Sequence, residues 1–254
     1  MAHVTLGNAA GGIGVLCALR EELGGLPERA RGRRTVHGIE ILELELADQR
    51  VLACASGVGK VHAARGAALL LHEGASAALL VVGVCGGLRQ ALRPGALVHC
   101  TRAVQADAAR TAGGAPAADP TLRAAWRAVA PGAEGWFLTA DRPVLSLWRR
   151  LRLARAFAGT CVADMETAAA ACVAAAAGVP WAALRAVTDR ATWGGGAAFK
   201  LHFPSQAGRC ADTVPVLLER LAEARGERSS GGAASGPPEV AGAGAALPPP
   251  RRER

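Results

Sequence analysis

At 254 residues the chain can bury one core of ordinary size, and the Gly-, Ala-, Pro- and Arg-rich stretch from 225 onward lacks the apolar content to join it. Aromatics are scarce, with five Trp, four Phe and no Tyr, so a platform for stacked bases has few candidates. The formal charge of +8 comes mostly from arginines scattered over 28–34, 142–155 and the terminal R-R-E-R, with Trp148 the one aromatic among them and no recognised module, which argues against nucleic acid as the partner.

In chain order, residues 1–12 read as a loose leader without the basic start and apolar core of a signal peptide. Gly14 to Leu19 (G-V-L-C-A-L) is a first buried strand, followed by Arg20-Glu21-Glu22-Leu23, and Gly25 to Gly38 reads as a polar, basic loop. Ile39 to Leu46 (I-E-I-L-E-L-E-L) alternates apolar and acidic residues, the period of a half-exposed strand. Val51 to Ala55 is another short strand, and Ser56-Gly57-Val58-Gly59-Lys60 turns into a helix reaching about Glu73. Leu79 to Val84 (L-L-V-V-G-V) suits the centre of a parallel sheet and runs into a glycine turn, Cys85-Gly86-Gly87-Leu88.

Pro94 to Val98 gives a turn and a strand, 105–119 a loop, Leu122 to Val129 a helix, Trp136 to Leu138 a strand and 145–155 a basic helix. From Val162 the reading is a short Ala-rich helix capped by Asp164 and stopped at Gly178 and Pro180, then a buried strand from Trp181 to Val187. Trp193-Gly194-Gly195-Gly196 reads as a flexible loop, Ser205 to Ala224 as a last amphipathic helix, and 225–254 as disordered. Strands alternating with helices predict an α/β fold with a mixed, mostly parallel sheet, its folded domain spanning 13–224. No apolar run reaches eighteen residues, so no membrane span is expected. Seven cysteines without a C-x-x-C pair suggest a reducing compartment and no metal site.

Two glycine turns invite a phosphate or dinucleotide reading, and both miss it. In 54–61 Cys54 occupies the place of the first P-loop glycine and Val61 that of the magnesium-binding hydroxyl; Gly83-Val84-Cys85-Gly86-Gly87 lacks the dinucleotide spacing. Two acids fall at more telling corners: Glu166 at the start of a helix, and Asp189 at the carboxyl end of a strand, where open α/β sheets bind ligands. Each acid has an ordinary alternative. Glu166 could simply favour the helix dipole, Asp189 could pair with Arg185 or Arg190, and Glu22 could be a surface acid beside Glu21.

Taken together, G-V-L-C-A-L-R-E-E-L at 14–23, S-G-V-G-K-V at 56–61, G-V-C-G-G-L at 83–88, P-G-A-L-V at 94–98, T-A-D at 139–141, D-M-E-T-A at 164–168 and G-V-P-W-A-A-L-R-A-V-T-D at 178–189 carry a resemblance. In order and spacing the chain resembles the nucleoside phosphorylase/nucleosidase superfamily of the purine and uridine phosphorylase type, closest to 5′-methylthioadenosine/S-adenosylhomocysteine nucleosidases. The resemblance implies a three-layer αβα sandwich and cleavage of an N-ribosidic bond in the cytoplasm, by a homodimer without metal or organic cofactor. It also implies roles by position. Asp189 would protonate the purine with Thr188 steadying it, Glu166 would hold the ribose hydroxyls, Met165 would pack on the sugar, and Glu22 would position and deprotonate the attacking water.

Val84, Gly86, Pro143 and Val144 would border the substrate, but at two places the chain departs from the family pattern. Val84 stands where the nucleosidase pattern T-G-S-A-G-G has its Ser, and Arg142-Pro143-Val144 replaces the segment with the adenine-stacking aromatic. Trp193 and Phe199 are candidates to supply that surface instead. The G-V-C-G-G-L and D-M-E-T variants also resemble hopanoid-associated phosphorylases. A phosphorylase would need anion donors, for which Arg20 and Ser56 are candidates, and a nucleoside-binding protein that no longer cleaves is a third reading.

Overall fold

The structure is a computed structural model describing residues 11–89, 91–108, 114–191 and 195–231, with backbone alone for 226–231. The expected leader, apart from Gly11 and Gly12, and the tail beyond 231 lie outside the described residues. The chain runs β1 (Ile13–Cys17), β2 (Gly32–Val36), β3 (Ile39–Leu46), β4 (Gln49–Ala55), α1 (Lys60–His72), β5 (Ala78–Gly87), β6 (Leu97–Gln105), α2 (Pro120–Val129), β7 (Ala133–Thr139), α3 (Leu147–Ala156), β8 (Cys161–Asp164), α4 (Thr167–Ala176), β9 (Trp181–Asp189), α5 (Gly195–Gln206) and α6 (Val214–Gly231).

The nine strands form one mixed sheet in the order β2-β3-β4-β1-β5-β8-β7-β6-β9, and β9 also pairs with β5. That extra pairing closes β5, β9, β6, β7 and β8 into a ring. The parallel pairings join β4, β1, β5 and β9 on one side and β6, β7 and β8 on the other; β2 and β3 add an antiparallel edge. Strands β5 and β9 are apolar along both faces because helices cover both.

On one face α1 and α4 pack Ala63, Ala67, Leu70, Ala170, Ala171 and Ala174 onto Leu16, Leu52, Leu79, Val81 and Val187. The alanines of α4 favour the helix and keep its flank thin, so it lies close against α1 and the sheet. On the other face α2 and α6 set Leu122, Trp126, Val214, Leu217 and Leu218 against Val15, Leu80, Val82 and Leu184. Fully burying each Leu contributes roughly 1.5–3 kcal/mol over leaving it exposed. The result is the expected αβα sandwich.

Several expectations are corrected. The polar loop 25–38 contains β2, an edge strand in which Arg34 is held by Glu43 of its neighbour at 2.6 Å and Arg33 donates to Pro27 O at 2.8 Å. The glycine turn after Val84 is strand: β5 continues to Gly87, with a register shift at Cys85/Gly86 as its partner changes from β9 to β8. Val162 to Asp164 belong to β8, and α4 starts only at Thr167. Gly195 and Gly196 open α5, and the single last helix expected from Ser205 divides into the end of α5 and α6. Helix α6 continues to Gly231, past the boundary at 224. Among the described residues no helix is long and apolar enough to cross a membrane.

Candidate active site

A cavity of about 330 Å³ lies where β1, β5, β8 and β9 end. The residues given catalytic or substrate-binding roles from the sequence border it: Glu22 after β1, Val84 and Gly86 in β5, Met165 and Glu166 between β8 and α4, and Thr188 and Asp189 closing β9. Pro143 and Val144, from the connection between β7 and α3, complete the set.

Glu22 is no surface acid; it is 2% exposed. It sits in a single 3-10 turn, Arg20–Leu23, that folds its side chain back over the end of β1. Its Oε2 accepts the backbone N–H groups of Ala18 and Leu19, each at 2.9 Å, and Oε1 accepts that of Val84 at 2.9 Å. A carboxylate offers about four acceptor positions, so this grip leaves one open on Oε1. The approach depends on Gly83, whose φ of +141° suits glycine. A Cβ there would come within 2.5 Å of both Glu22 Oε1 and Arg185 Nη1.

Arg185 emerges from the middle of β9, 1% exposed, into a cluster of three buried acids. Its Nη2 lies 3.3 Å from Asp164 Oδ2 and 3.4 Å from Glu166 Oε2, and its Nη1 is 4.0 Å from Glu22 Oε1. It also donates to Thr167 Oγ1 at 3.2 Å and Val84 O at 3.3 Å. Burial opposes its charge, but Asp164, Glu166 and Glu22 more than offset this and raise its pKa. Asp164 accepts hydrogen bonds from the hydroxyls of Thr139 and Thr167 and from the Thr167 N–H, so it meets the first N–H of α4 from the end of β8, while the cap position expected for it is held by Glu166. Glu166, the residue just before α4, accepts from Gly59 N–H at 2.9 Å. Burial pushes its carboxyl up to about 7; Arg185 and the Gly59 N–H pull the other way, while Asp164 and Glu22 add to the rise.

Asp189 is placed differently. Its oxygens meet Thr188 Oγ1 at 3.0 Å and the Ala191 N–H at 2.6 Å, and among the described residues it has no ion pair with Arg185 or Arg190. Burial raises its pKa, only partly offset by these two hydrogen bonds. Its grip on Ala191 holds that residue at φ +48°, a turn that sends the chain away from the sheet toward α5.

Leu19, Val58, Met165 and Phe199 give the cavity apolar wall, and Leu145 faces Gly195 beside Asp189. Phe199 is therefore at the site as suggested, while Trp193 lies outside the described residues. The proposed anion donors point elsewhere: Arg20 bonds Glu40 at 2.7 Å on the surface, and the Ser56 hydroxyl lies 3.1 Å from Cys17 O. Sequence reasoning missed Asp164 and Arg185 as a charge centre. The signal for Arg185 was one charge inside an apolar run, W-A-A-L-R-A-V, which demands buried partners. Cys85 borders the cavity too, but burial holds its thiol far above the ordinary value. Among the described residues no group of acids, His and Cys is arranged to hold a metal ion.

Comparison with known proteins follows the same lines. An S-adenosylhomocysteine nucleosidase from Streptococcus pyogenes, solved with 5-methylthiotubericidin, superposes with a TM-score of 0.79 at 25% identity, covering 85% of this chain and 99% of that one. A 5′-methylthioadenosine/S-adenosylhomocysteine nucleosidase from Neisseria meningitidis, solved with methylthio-immucillin-A, gives 0.76 at 26% identity, covering 82% and 98%. Futalosine hydrolase of Helicobacter pylori shares the fold at a TM-score of 0.75 and 24% identity, covering 84% and 98%. Residues 12–223 match the phosphorylase superfamily, and the chain belongs to that family.

Proposed function

We propose that this protein hydrolyses the N-ribosidic bond of a purine nucleoside resembling 5′-methylthioadenosine or S-adenosylhomocysteine and releases adenine. One observation carries the reading: Glu22, Glu166 and Asp189, distant in sequence, border a single cavity, and Asp189 stands apart from the guanidinium that the other two share. The cavity's volume falls at the lower end of small-molecule sites.

Breaking the bond leaves electron density on the purine and positive charge on the sugar. Asp189, whose pKa burial raises, gives its proton to the purine N7 as the C1′–N9 electron pair moves onto the base. Glu166 accepts hydrogen bonds from the ribose hydroxyls. Water held at the open position of Glu22 adds to C1′, and Glu22 takes its proton. The cluster of acids around one guanidinium on the sugar side is suited to an oxocarbenium-like transition state. Leu19, Val58, Met165 and Phe199 suit an apolar 5′-thioether, and the relatives solved with 5-methylthiotubericidin and methylthio-immucillin-A support the same substrate class. Assembly as a cytoplasmic homodimer, as the resemblance implies, belongs to this proposal; Val61, Leu147, Trp148 and Leu201 are exposed apolar residues that a second copy could cover, and light scattering tests it.

The deciding experiment follows adenine release from 5′-methylthioadenosine with and without phosphate. Phosphate-independent release supports the reading, strict phosphate dependence turns it to a phosphorylase, and binding without product overturns it in favour of a non-catalytic protein.

A further inference from the structure

The lysine of S-G-V-G-K, left without a role once the phosphate-loop pattern failed, stands at the first position of α1. A cation there faces the positive end of the helix dipole and needs outside compensation. It has it: Lys60 Nζ lies 2.7 Å from Asp107 Oδ1 and 3.1 Å from Asp141 Oδ2, with 15% of its side chain exposed. Burial opposes its charge, but the hydrogen bonds it donates to both acids outweigh this and raise its pKa. The ammonium is thus committed to carboxylates and not open to an anion.

Asp107 is the hub. Its second oxygen accepts the backbone N–H of Asp141 at 2.7 Å, fixing the chain where it leaves β7. Pro143, Val144 and Leu145 follow directly and form the cavity wall beside Asp189. Among the described residues Arg142 to Leu145 make no hydrogen bond of their own, so this wall hangs between Asp141 and the start of α3 at Leu147. On the other side of Lys60, Gly59 donates to Glu166 and Val58 borders the cavity. One lysine therefore ties the wall near Glu166 to the wall near Asp189.

We propose that Lys60, acting through Asp107, is a positioning residue that sets the distance between the ribose-side and base-side walls and thereby the affinity for the base. This rests on the proposed function only for the name of the ligand. Loss of the tie lets the Pro143–Leu145 wall drift, which weakens ground-state and transition-state binding alike. It therefore raises KM and leaves kcat nearly untouched.

The test compares wild type, Lys60→Met, Lys60→Arg and Asp107→Asn. Hydrogen exchange of the Asp141 amide is read with no ligand present, and KM and kcat are read on 5′-methylthioadenosine, with calorimetric binding of adenine as a turnover-free measure. In Lys60→Met and Asp107→Asn, exchange of the Asp141 amide accelerates while β3 is unchanged. KM or the adenine Kd rises about tenfold with kcat within about threefold, and Lys60→Arg restores most of the loss. Unchanged exchange overturns the tie whatever the activity. Faster exchange with unchanged KM and unchanged adenine Kd overturns its bearing on binding. A wild type that cleaves no nucleoside defeats the functional reading alone, since exchange and adenine binding still judge Lys60.

Discussion

Arg185 Nη2 lies 3.4 Å from Glu166 Oε2, and through this contact the central strand β9 is bound to the residue that starts α4. The guanidinium also serves Asp164 and Glu22, so one cation compensates three buried acids. Replacing it by an apolar side chain strands them. Arg185→Met is expected to lose about 3–5 kcal/mol of stability, read as a lower urea midpoint at unchanged slope.

Glu166 makes stability depend on pH in a direction opposite to most carboxylates. Its carboxyl is pushed from 4.5 up to about 7, so the folded protein keeps a proton that the unfolded chain has already released. The contribution is fully present below about 4.5, is lost as pH rises through about 7, and amounts to roughly 3 kcal/mol across that window. Urea midpoints of wild type should fall between pH 5 and pH 8 by more than those of Glu166→Gln, which lacks the titrating group.

Asp189→Asn should fold as wild type and lose about 10²–10⁴ in kcat with little change in KM, since it removes the proton donor and keeps the shape. Wild-type activity should decline as pH rises through the raised pKa of Asp189. Initial rates across pH check both. A variant as active as wild type would remove Asp189 from the chemistry.

Val84→Ser would restore a hydroxyl beside Glu22, whose Oε1 already accepts the Val84 N–H at 2.9 Å. A second donor there should help order the attacking water. The expected gain is about threefold to tenfold in kcat/KM, measured by adenine release. No gain would mean that Glu22 alone suffices at that position.

How much was legible varies with how local the cause is. The alternation of I-E-I-L-E-L-E-L gave β3 to the residue, because period two is written in a short window. The acids Glu22, Glu166 and Asp189 were legible as one site only through the resemblance to the superfamily, since each alone had an ordinary alternative. Strand β2 was hidden because Arg31, just before it, and Arg34 within it read as loop until Glu45 and Glu43, from the neighbouring strand, neutralise them. Strand β8 was hidden by its brevity: four residues gain their identity from β7 and β5 on either side. Helix α5 opens on Gly195 and Gly196, and Gly195 is buried against Asp189 and Leu145, a tertiary reason that no propensity carries. Arg185 was quoted within its motif, but the identity of its partners required the fold.

Gly83 has a consequence of its own. Its bare backbone is the window through which an acid from the first strand's end and a base from the last strand reach each other across the sheet. A single methyl group at this point would wedge the two apart and unbalance the interior before it touched any bound nucleoside. At residue 83, then, any side chain is expected to lower folding stability and activity together, and urea midpoints and turnover of variants there should fall in step.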